Sequence, residues 1–432
     1  MDIKKSRWIT LLLQIIIGSA TCFSYIITVF IGPLGEKFGW AAGTILFAFT
    51  LSMWVGTPAN IIGGWLRDKF GCKKSIVASG LLYGLTLVLS GLVSNVWIFV
   101  ILQGIVAPLC MFICYIAALA NLGVLFPDKR GSITGLYVGG YSLGSAALAP
   151  IAAWFIAHFS VGPAIVIEGI IYGVMVIVCG LFIIDPSQEE LNEQLSETTY
   201  DETADAHVKP VKAKALEIGP QVPWRKMLVS PAFYLIEISF VFVGIAGFVV
   251  MSNGAMIAEA AIGASPAFSA WVVTIINLAV GVGGFVFGFI ADRISCSSAL
   301  ILLALINVAA CLLFAICGMN NVPVFLITVI CLGFGCGGSG CLLPVITMDT
   351  FGEKYFGVNM GLASIQTIIA TLVGPQLTVR FDIFSVFLIS GICSLIGLFV
   401  LFATKKSIRK LCRTWVNEED TIPVDNTVPT ES

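Results

Sequence analysis

Apolar runs of about 20 residues or more recur along the whole chain, and they limit its possible folds more than any other feature does. Hydrophobic residues make up 58% of the 432 residues, charged residues make up 11%, and the mean hydropathy is +0.99. Lipid offers no partners for free backbone N–H and C=O groups, so such runs must form helices or a closed barrel, and barrel strands are much shorter. The sequence therefore predicts an all-α membrane protein.

Turn residues, charges and prolines divide the apolar sequence into twelve predicted spans. The first run is too long for the apolar part of a signal peptide and lacks a small-residue cleavage site after it, so we expect it to be retained. The spans are approximately 8–31, 40–66, 75–95, 97–126, 131–158, 161–184, 232–258, 266–291, 297–318, 322–348, 356–379 and 383–403.

Positive charge is distributed unequally between the two sets of connections. All Lys and Arg residues except Lys37 and Arg380 fall in the terminal segments or in the connections that follow even-numbered spans. By the positive-inside rule, both termini are expected on the cytoplasmic side of a plasma membrane, most simply a bacterial inner membrane. The formal net charge of −2 carries no indication of nucleic-acid binding, because the charges are segregated by loop.

A polar stretch separates the sixth span from the seventh. It contains nine carboxylates between Asp185 and Glu217, several prolines and no hydrophobic periodicity, which is typical of a flexible linker. The predicted organisation is a six-helix half at 1–184, a cytoplasmic linker at 185–225, a second six-helix half at 226–403 and a cytoplasmic tail at 404–432.

The two predicted halves share a weak internal repeat. Gly64, Asp68 and Lys69 recur 224 residues later as Gly288, Asp292 and Arg293, in the corresponding loop. Other matches at nearly the same offset pair the region after span 4 with the region after span 10. Such parallel repeats predict a substrate site between the halves near the middle of the membrane.

The loop "GGWLRDKFGCKK" (63–74) resembles the signature of the major facilitator superfamily. The motifs "FPDKRG" (126–131), "VPWRKMLVSPAFYL" (222–235) and "FGEKYFGVNMGL" (351–362) are more narrowly similar to the oxalate:formate antiporter family, which includes bacterial monocarboxylate transporters. The resemblance implies two six-helix halves working by alternating access. It also implies a gate at the basic loops, formed by Gly64, Asp68, Lys69, Gly71, Lys73, Lys74, Arg130, Asp292 and Arg293.

The same resemblance implies two mid-membrane cations that contact substrate carboxylates, and both are missing. The expected Arg of span 8 aligns with Gly284, and the expected Lys of span 11 aligns with or next to Gln366. No Lys or Arg lies inside the twelve predicted spans. An uncompensated charge at mid-membrane costs about 2.5 to 3.5 kcal/mol on insertion scales, so a dianion such as oxalate is disfavoured relative to a monoanion or a neutral compound.

Two carboxylates inside the spans are candidates for proton coupling. Glu237 in span 7 is the first, and the alternative is that it reaches the headgroups from a position near the helix end. Glu168 in span 6 is the second, and a packing or pairing role is its alternative. Polar side chains that could contact substrate, or instead hydrogen bond between helices, are Gln366, Tyr115, Tyr25, Asn277 and Asn60.

The sequence thus predicts a gradient-driven transporter, a symporter or antiporter for a monocarboxylate-like organic anion. It contains no phosphate-binding GxxxxGK[ST] motif, and we expect no cofactor, no metal, no enzymatic activity, and a functional monomer whose partners are its substrate and the bilayer. Two alternatives stay open. The same fold could export a neutral or amphipathic compound, or the chain could be a membrane receptor without transport.

Overall fold

The structure, a computed structural model, describes residues 3–126, 129–185, 221–352 and 355–419. Every regular element in these ranges is helical, and a short connecting helix, Trp224–Val229, precedes the seventh long segment. The twelve long segments are α1 (Ile3–Ala20, Phe23–Ile26, a 3-10 turn Ile27–Phe30 and Ile31–Phe38), α2 (Ala42–Phe70), α3 (Cys72–Leu92), α4 (Val96–Leu125), α5 (Arg130–Phe159), α6 (Val161–Phe182), α7 (Pro231–Ile262), α8 (Pro266–Ile294), α9 (Cys296–Cys317), α10 (Val322–Phe351), α11 (Phe356–Ala363 and Ile365–Arg380) and α12 (Ile383–Glu419).

Ten helices in the described ranges are long and apolar enough to cross a bilayer. The other two segments are α1, which is divided and whose apolar part is Ser6–Ala20, and α5, which has 30 residues. A helix rises 1.5 Å per residue, so 30 residues cover about 45 Å, more than a bilayer core requires. The prediction of an all-α membrane fold with twelve helices is confirmed.

The last helix is longer than its apolar span. That span lies at Ile383–Thr404, close to the predicted 383–403, and helix α12 continues to Glu419. Neither Gly nor Pro occurs between 404 and 419, so nothing in the sequence interrupts the helix there. The rest of the predicted tail (420–432) and most of the predicted linker (186–220) lie outside the described residues.

The final residues of the predicted linker pack against the bundle. The N–H of Val222 donates to the carbonyl of Phe351 at 2.9 Å, and the side-chain amide of Asn359 donates to the carbonyl of Val222 at the same distance. Met227 in the connecting helix is fully buried. This part of the chain is therefore attached to the ends of α10 and α11 before α7 begins.

Side-chain caps begin four helices at one end of the bundle. Oδ1 of Asn95 accepts the N–H of Trp97 at 2.9 Å, and Ser265 and Asn321 cap α8 and α10 in the same way. Asp382, just before α12, accepts hydrogen bonds from the hydroxyl and N–H of Ser385, and these bonds lower the pKa of the Asp382 carboxyl. Each cap satisfies backbone donors that have no partner within their helix.

Buried apolar side chains form three clusters. One lies wholly between Ile17 and Ile183, and a second lies wholly between Ile245 and Phe387. The third joins residues from both parts of the chain, including Phe126 and Phe356 beside the α4–α5 and α10–α11 connections. We call this end of the bundle, which also carries the α2–α3 and α8–α9 connections, the basic end. The first and last six helices thus have separate cores and share a third one at the basic end.

Candidate functional site

Helices α5 and α8 meet through glycines at the basic end. A β-carbon at Gly131 would overlap the carbonyl oxygen of Gly288, and a β-carbon at Gly135 would overlap the carbonyl oxygen of Gly284. Farther along, a β-carbon at Gly139 would lie 2.7 Å from the carbonyl oxygen of Gly281. The two backbones approach this closely only because glycine has no side chain. We call this contact the α5–α8 seam.

Asp292 ties the basic end of this seam together. Its carboxylate accepts the N–H groups of Gly131 and Ser132 at 2.7 Å each, and it also accepts the Ser132 hydroxyl. These donors stand at the start of α5, where the helix presents unpaired N–H groups and a partial positive charge. A nearby ion pair joins Arg130 and Asp349 at 3.7 Å.

The first basic loop makes its described hydrogen bonds within the first six helices. Asp68 pairs with its neighbour Arg67 at 3.1 Å. Asp185, just after α6, accepts the N–H groups of Cys72 (2.6 Å) and Lys73 (3.2 Å). Gly71 has a φ of 85°, a conformation that favours glycine. The ammonium of Lys69 lies over the ring of Trp65, Lys74 is exposed, and the guanidinium of Arg293 lies over Phe289.

The two copies of the loop make different contacts. The described hydrogen bonds of the first loop stay within the first six helices, whereas Asp292 in the second copy bonds to the start of α5. One carboxylate at a helix start is sufficient for such a contact once the α5–α8 glycines bring the backbones together.

Helices α2 and α11 form a second seam at the basic end. A β-carbon at Gly64 would overlap the carbonyl carbon of Gly357, and one at Gly361 would lie 2.6 Å from the backbone nitrogen of Ile61. One turn deeper, the side-chain amide of Asn60 donates to the Ser364 hydroxyl at 2.9 Å. We call the Gly64–Gly357 contact and its neighbours the α2–α11 seam.

Helix α11 is interrupted where this seam ends. The first segment stops at Ala363, Ser364 adopts a turn, and the second segment begins at Ile365. The carbonyl of Ser364 accepts the hydroxyl of Thr57 at 3.3 Å. We call Ser364 and the two adjoining helix ends the α11 break.

Glu237 of α7 faces this break. Its Oε2 accepts the backbone N–H of Gln366 at 3.2 Å, while its Oε1 is buried with no hydrogen-bond partner in the described part of the chain. The Gln366 side chain donates to the hydroxyl of Thr367 at 2.9 Å. The direction of Glu237 follows from helix packing, since Gly244, two turns along the same face, lies beside Ala370 of α11. The carboxyl group thus points into the bundle.

Three residues singled out from the sequence therefore meet at the α11 break. Asn60, Glu237 and Gln366 come from α2, α7 and α11, and each contacts Ser364 or the start of the second α11 segment. Asn60 is 4% exposed and Gln366 is 7% exposed. Buried polar groups without full hydrogen bonding are costly in a lipid-embedded bundle, which favours a role in binding.

Tyr115 lies in a separate aromatic group. Its ring centroid is 5.8 Å from that of Tyr137 and 6.0 Å from that of Tyr141. Both neighbours are on α5 and face Gly18 of α1. The backbone of Tyr25 belongs to the short α1 segment Phe23–Ile26, but its side chain lies outside the described part of the structure.

The remaining two candidates also lie away from the break. Asn277 is exposed on α8, one turn beyond Gly281 on the face that forms the α5–α8 seam, so it stands where that seam ends. Glu168 is completely buried in α6, and its two carboxyl oxygens have no hydrogen-bond partner among the described residues.

Gly284, the position aligned with an expected cation, lies inside the α5–α8 seam. A β-carbon there would lie 3.4 Å from the carbonyl oxygen of Gly337 and 3.5 Å from Val138. These are ordinary van der Waals distances, so Gly284 lies between α5 and α10 in this conformation.

Sequence reasoning missed several polar residues in the bundle. Tyr137 and Tyr141 lie four residues apart on α5, a spacing that could have identified them as one face. Asn253 has non-helical backbone angles inside α7, and its side-chain amide donates to the Thr378 hydroxyl of α11 at 2.6 Å. An Asn-Gly pair in the middle of an apolar span was the available signal.

Together, these features define a class of protein. Two sets of apolar helices joined through glycine seams at one end, with buried polar groups and a broken helix between them, form the architecture of a secondary membrane transporter. The chain belongs to the Major Facilitator Superfamily, whose sequence profile matches residues 13–364 and 238–415. It is therefore a multi-pass membrane transporter of small molecules and not an enzyme, as predicted.

Known proteins resemble most of the chain. The oxalate:formate antiporter of Oxalobacter formigenes is 24% identical over 431 residues, covering 94% of each chain. Monocarboxylate transporter 12 of Xenopus laevis is 24% identical over 368 residues, covering 81% of this chain and 77% of the relative. The structure of the proton:xylose symporter XylE matches with a TM-score of 0.72 at 12% identity, covering 93% of this chain and 96% of the symporter. The resemblance to the oxalate:formate antiporter family is thus confirmed, and the structural match supports the fold.

Proposed function

We propose that this protein is a secondary active transporter that moves a small, monocarboxylate-like organic acid by alternating access, coupled to protons or by exchange. One observation carries the proposal. The carboxylate of Glu237, a half-buried residue whose Oε1 is buried, already lies at the start of the second α11 segment, where its Oε2 accepts the N–H of Gln366. A helix start that binds the carboxylate of Glu237 can also bind the carboxylate of a substrate. The printed names of the two relatives, an oxalate:formate antiporter and a monocarboxylate transporter, agree with small carboxylates as cargo.

The polarity of the α11 break favours a single negative charge. The N-terminal end of a helix attracts anions by up to about 2 kcal/mol in partly buried geometry, and Asn60 and Gln366 add neutral hydrogen-bonding groups. A dianion would require one of the cations that the predicted spans lack. We therefore propose monoanions such as formate, lactate or pyruvate and disfavour oxalate. Tyr115, Tyr25 and Asn277 are proposed to line the remainder of the substrate path.

The seams at the basic end supply the proposed gate. In the present conformation this end is closed by the α5–α8 and α2–α11 glycine contacts and by Asp292. Opening it requires the halves 1–184 and 226–403 to rock apart while the linker 185–225 keeps them joined. The proposed gate residues are Gly64, Asp68, Lys69, Gly71, Lys73, Lys74, Arg130, Asp292 and Arg293.

Proton coupling is assigned to Glu237, because its carboxyl group is buried at the substrate site. A proton on Glu237 neutralises a charge inside the membrane, which lowers the cost of moving an anion past it. Glu168 is the second proposed proton site, set within the first six helices. We place the protein in a bacterial inner membrane with both termini cytoplasmic, and we propose that it acts as a monomer. In this orientation, proton entry into the cell would drive uptake of the acid.

A second function has its own supporting observation. The absence of Lys and Arg from the predicted spans also suits the export of a neutral or amphipathic compound. Counterflow in proteoliposomes separates the two proposals. Exchange of labelled formate, lactate or pyruvate supports the first. No exchange of any small acid, together with extrusion of a lipophilic compound, supports the second. Ligand binding without any flux would instead indicate a receptor.

A further inference from the structure

We propose that Glu237 acts as a built-in competitor for substrate. Its ionised carboxylate occupies the anion site at the α11 break, and its protonation vacates that site for the carboxylate of the incoming substrate. This inference rests on the proposed function and specifies how a proton and a monoanion are coupled at that site.

The α11 break exposes a backbone donor to an anion. The second segment, Ile365–Arg380, is 16 residues long, so its start carries the partial positive charge of a full helix. The N–H of Gln366 lies in its first turn and has Oε2 of Glu237 as its acceptor. An anion at such a helix start is a general feature of anion-binding sites in proteins.

The α11 break has more hydrogen-bonding groups than those that Glu237 engages. Asn60 is only 4% exposed. Its amide nitrogen donates to Ser364 at the break, and its Oδ1 has no partner among the described residues. Oε1 of Glu237 is also buried and unpartnered there. One hydrogen bond of 3.2 Å thus holds the internal carboxylate, although the surrounding groups could bind more than one polar atom. A small ligand that approaches the break freely can satisfy these groups more fully.

The charged residues of the helices around this pair lie near the helix ends. Those of α8, α10 and α11 are Asp292, Arg293, Asp349 and Arg380, in or next to the final turn of each helix, and Glu259 lies at the far end of α7. The connecting helix before α7 carries Arg225 and Lys226, and the charged residues of α12 begin at Lys405, whose side chain lies outside the described part of the structure. Among the described residues, the hydrogen-bond partner of the Glu237 carboxyl is the N–H of Gln366. Loss of the carboxylate charge therefore weakens its attraction to the helix start.

The exchange conserves charge at the break. In the empty state, ionised Glu237 supplies one negative charge. In the loaded state, a proton from solution sits on Glu237 and the substrate monoanion supplies that charge. No other bond forms or breaks. One proton therefore enters with each monoanion, and by linkage protonation and substrate binding favour each other by the same factor.

Formate binding to the full-length protein in lipid nanodiscs tests this mechanism, because formate stays ionised across the useful pH range. Wild-type protein should bind formate more tightly as pH falls. Glu237→Gln, whose neutral amide holds the helix start weakly, should bind formate about tenfold more tightly at neutral pH, with little dependence on pH. Glu259→Gln removes the same charge from an exposed position on α7 and should behave like wild type.

Asn60→Asp is a second test that does not alter Glu237. A new carboxylate at Ser364 should abolish formate binding at neutral pH and restore part of it at low pH. Asn307→Asp is the matched control, since Asn307 is 1% exposed on α9, where its amide donates to the carbonyl of Val243. Formate binding should survive that change.

The competition mechanism and the proposed transport function can be overturned separately. If wild-type protein exchanges monocarboxylates but Glu237→Gln has the wild-type affinity and pH slope, the competition mechanism is overturned and the proposed transport function stands. If neither wild type nor Glu237→Gln binds or exchanges formate, lactate or pyruvate, the proposed function itself is overturned.

Discussion

Asp292 at the end of α8 accepts the backbone N–H of Gly131 at the start of α5 at 2.7 Å, so one carboxylate joins the two sets of helices directly. The neighbouring N–H of Ser132 donates to the same side chain. Gly131 and Gly288 allow the backbones of α5 and α8 to approach each other. Asp292 accepts N–H groups that have no partner within α5. Closure at the basic end thus involves backbone geometry, the Asp292 carboxylate and the Arg130–Asp349 ion pair.

Replacing Asp292 with Asn should shift the protein toward a conformation open at the basic end. The change removes a charge from a helix start, worth roughly 1 to 2 kcal/mol, which corresponds to a population change of about five- to thirtyfold. Distances between spin labels on the basic ends of α5 and α8 would measure it. Asp382→Asn is the control, because that carboxylate caps the start of α12 at the opposite end of the bundle. An equal shift in both variants would contradict this assignment.

Replacing Gly64 with Ala should prevent full closure of the α2–α11 seam. The new β-carbon would overlap the carbonyl carbon of Gly357, which belongs to a backbone and cannot rotate away. We expect counterflow to fall at least about tenfold, the effect of ~1.4 kcal/mol. Gly340→Ala on α10 is the matched control, since no heavy atom lies within 4 Å of its β-carbon position. Wild-type counterflow in Gly64→Ala would show that this contact is not required.

The sequence predicted much of the fold because apolar length and charge distribution act locally. Helix α9, predicted at 297–318, is observed at Cys296–Cys317. The α11 break was not predicted, since "GLASIQTI" (361–368) contains no proline and its Ser is compatible with an unbroken helix. Tertiary contacts from Thr57 and Asn60 engage Ser364 there.

The candidate site was predicted only in part. A Glu and a Gln in apolar spans are visible in the sequence. Their contact, between residues 129 positions apart, depends on how α7 packs against α11. The resemblance directed attention to Gly284 and to the complete first loop. Close glycine packing places Gly284 in a seam and gives Asp292 the contact between the helix sets.

A cation at position 366 should change the charge preference of the site. Gln366→Lys would pair with Glu237, so the test uses the Glu237→Gln, Gln366→Lys double variant. Its ammonium group should improve inhibition of formate exchange by oxalate about tenfold relative to Glu237→Gln alone, since a nearby opposite charge offsets the second carboxylate. Competition curves for oxalate and acetate would show it. Unchanged relative inhibition would mean that residue 366 does not contact the substrate.

The central claim is that Glu237 couples proton movement to monocarboxylate transport. The most direct measurement compares wild type and Glu237→Gln in proteoliposomes, using the monocarboxylate that exchanges fastest in counterflow and an imposed pH gradient. We predict that wild type accumulates the acid against its concentration gradient, whereas Glu237→Gln retains exchange but accumulates none. Accumulation by Glu237→Gln with the wild-type pH dependence would contradict the account.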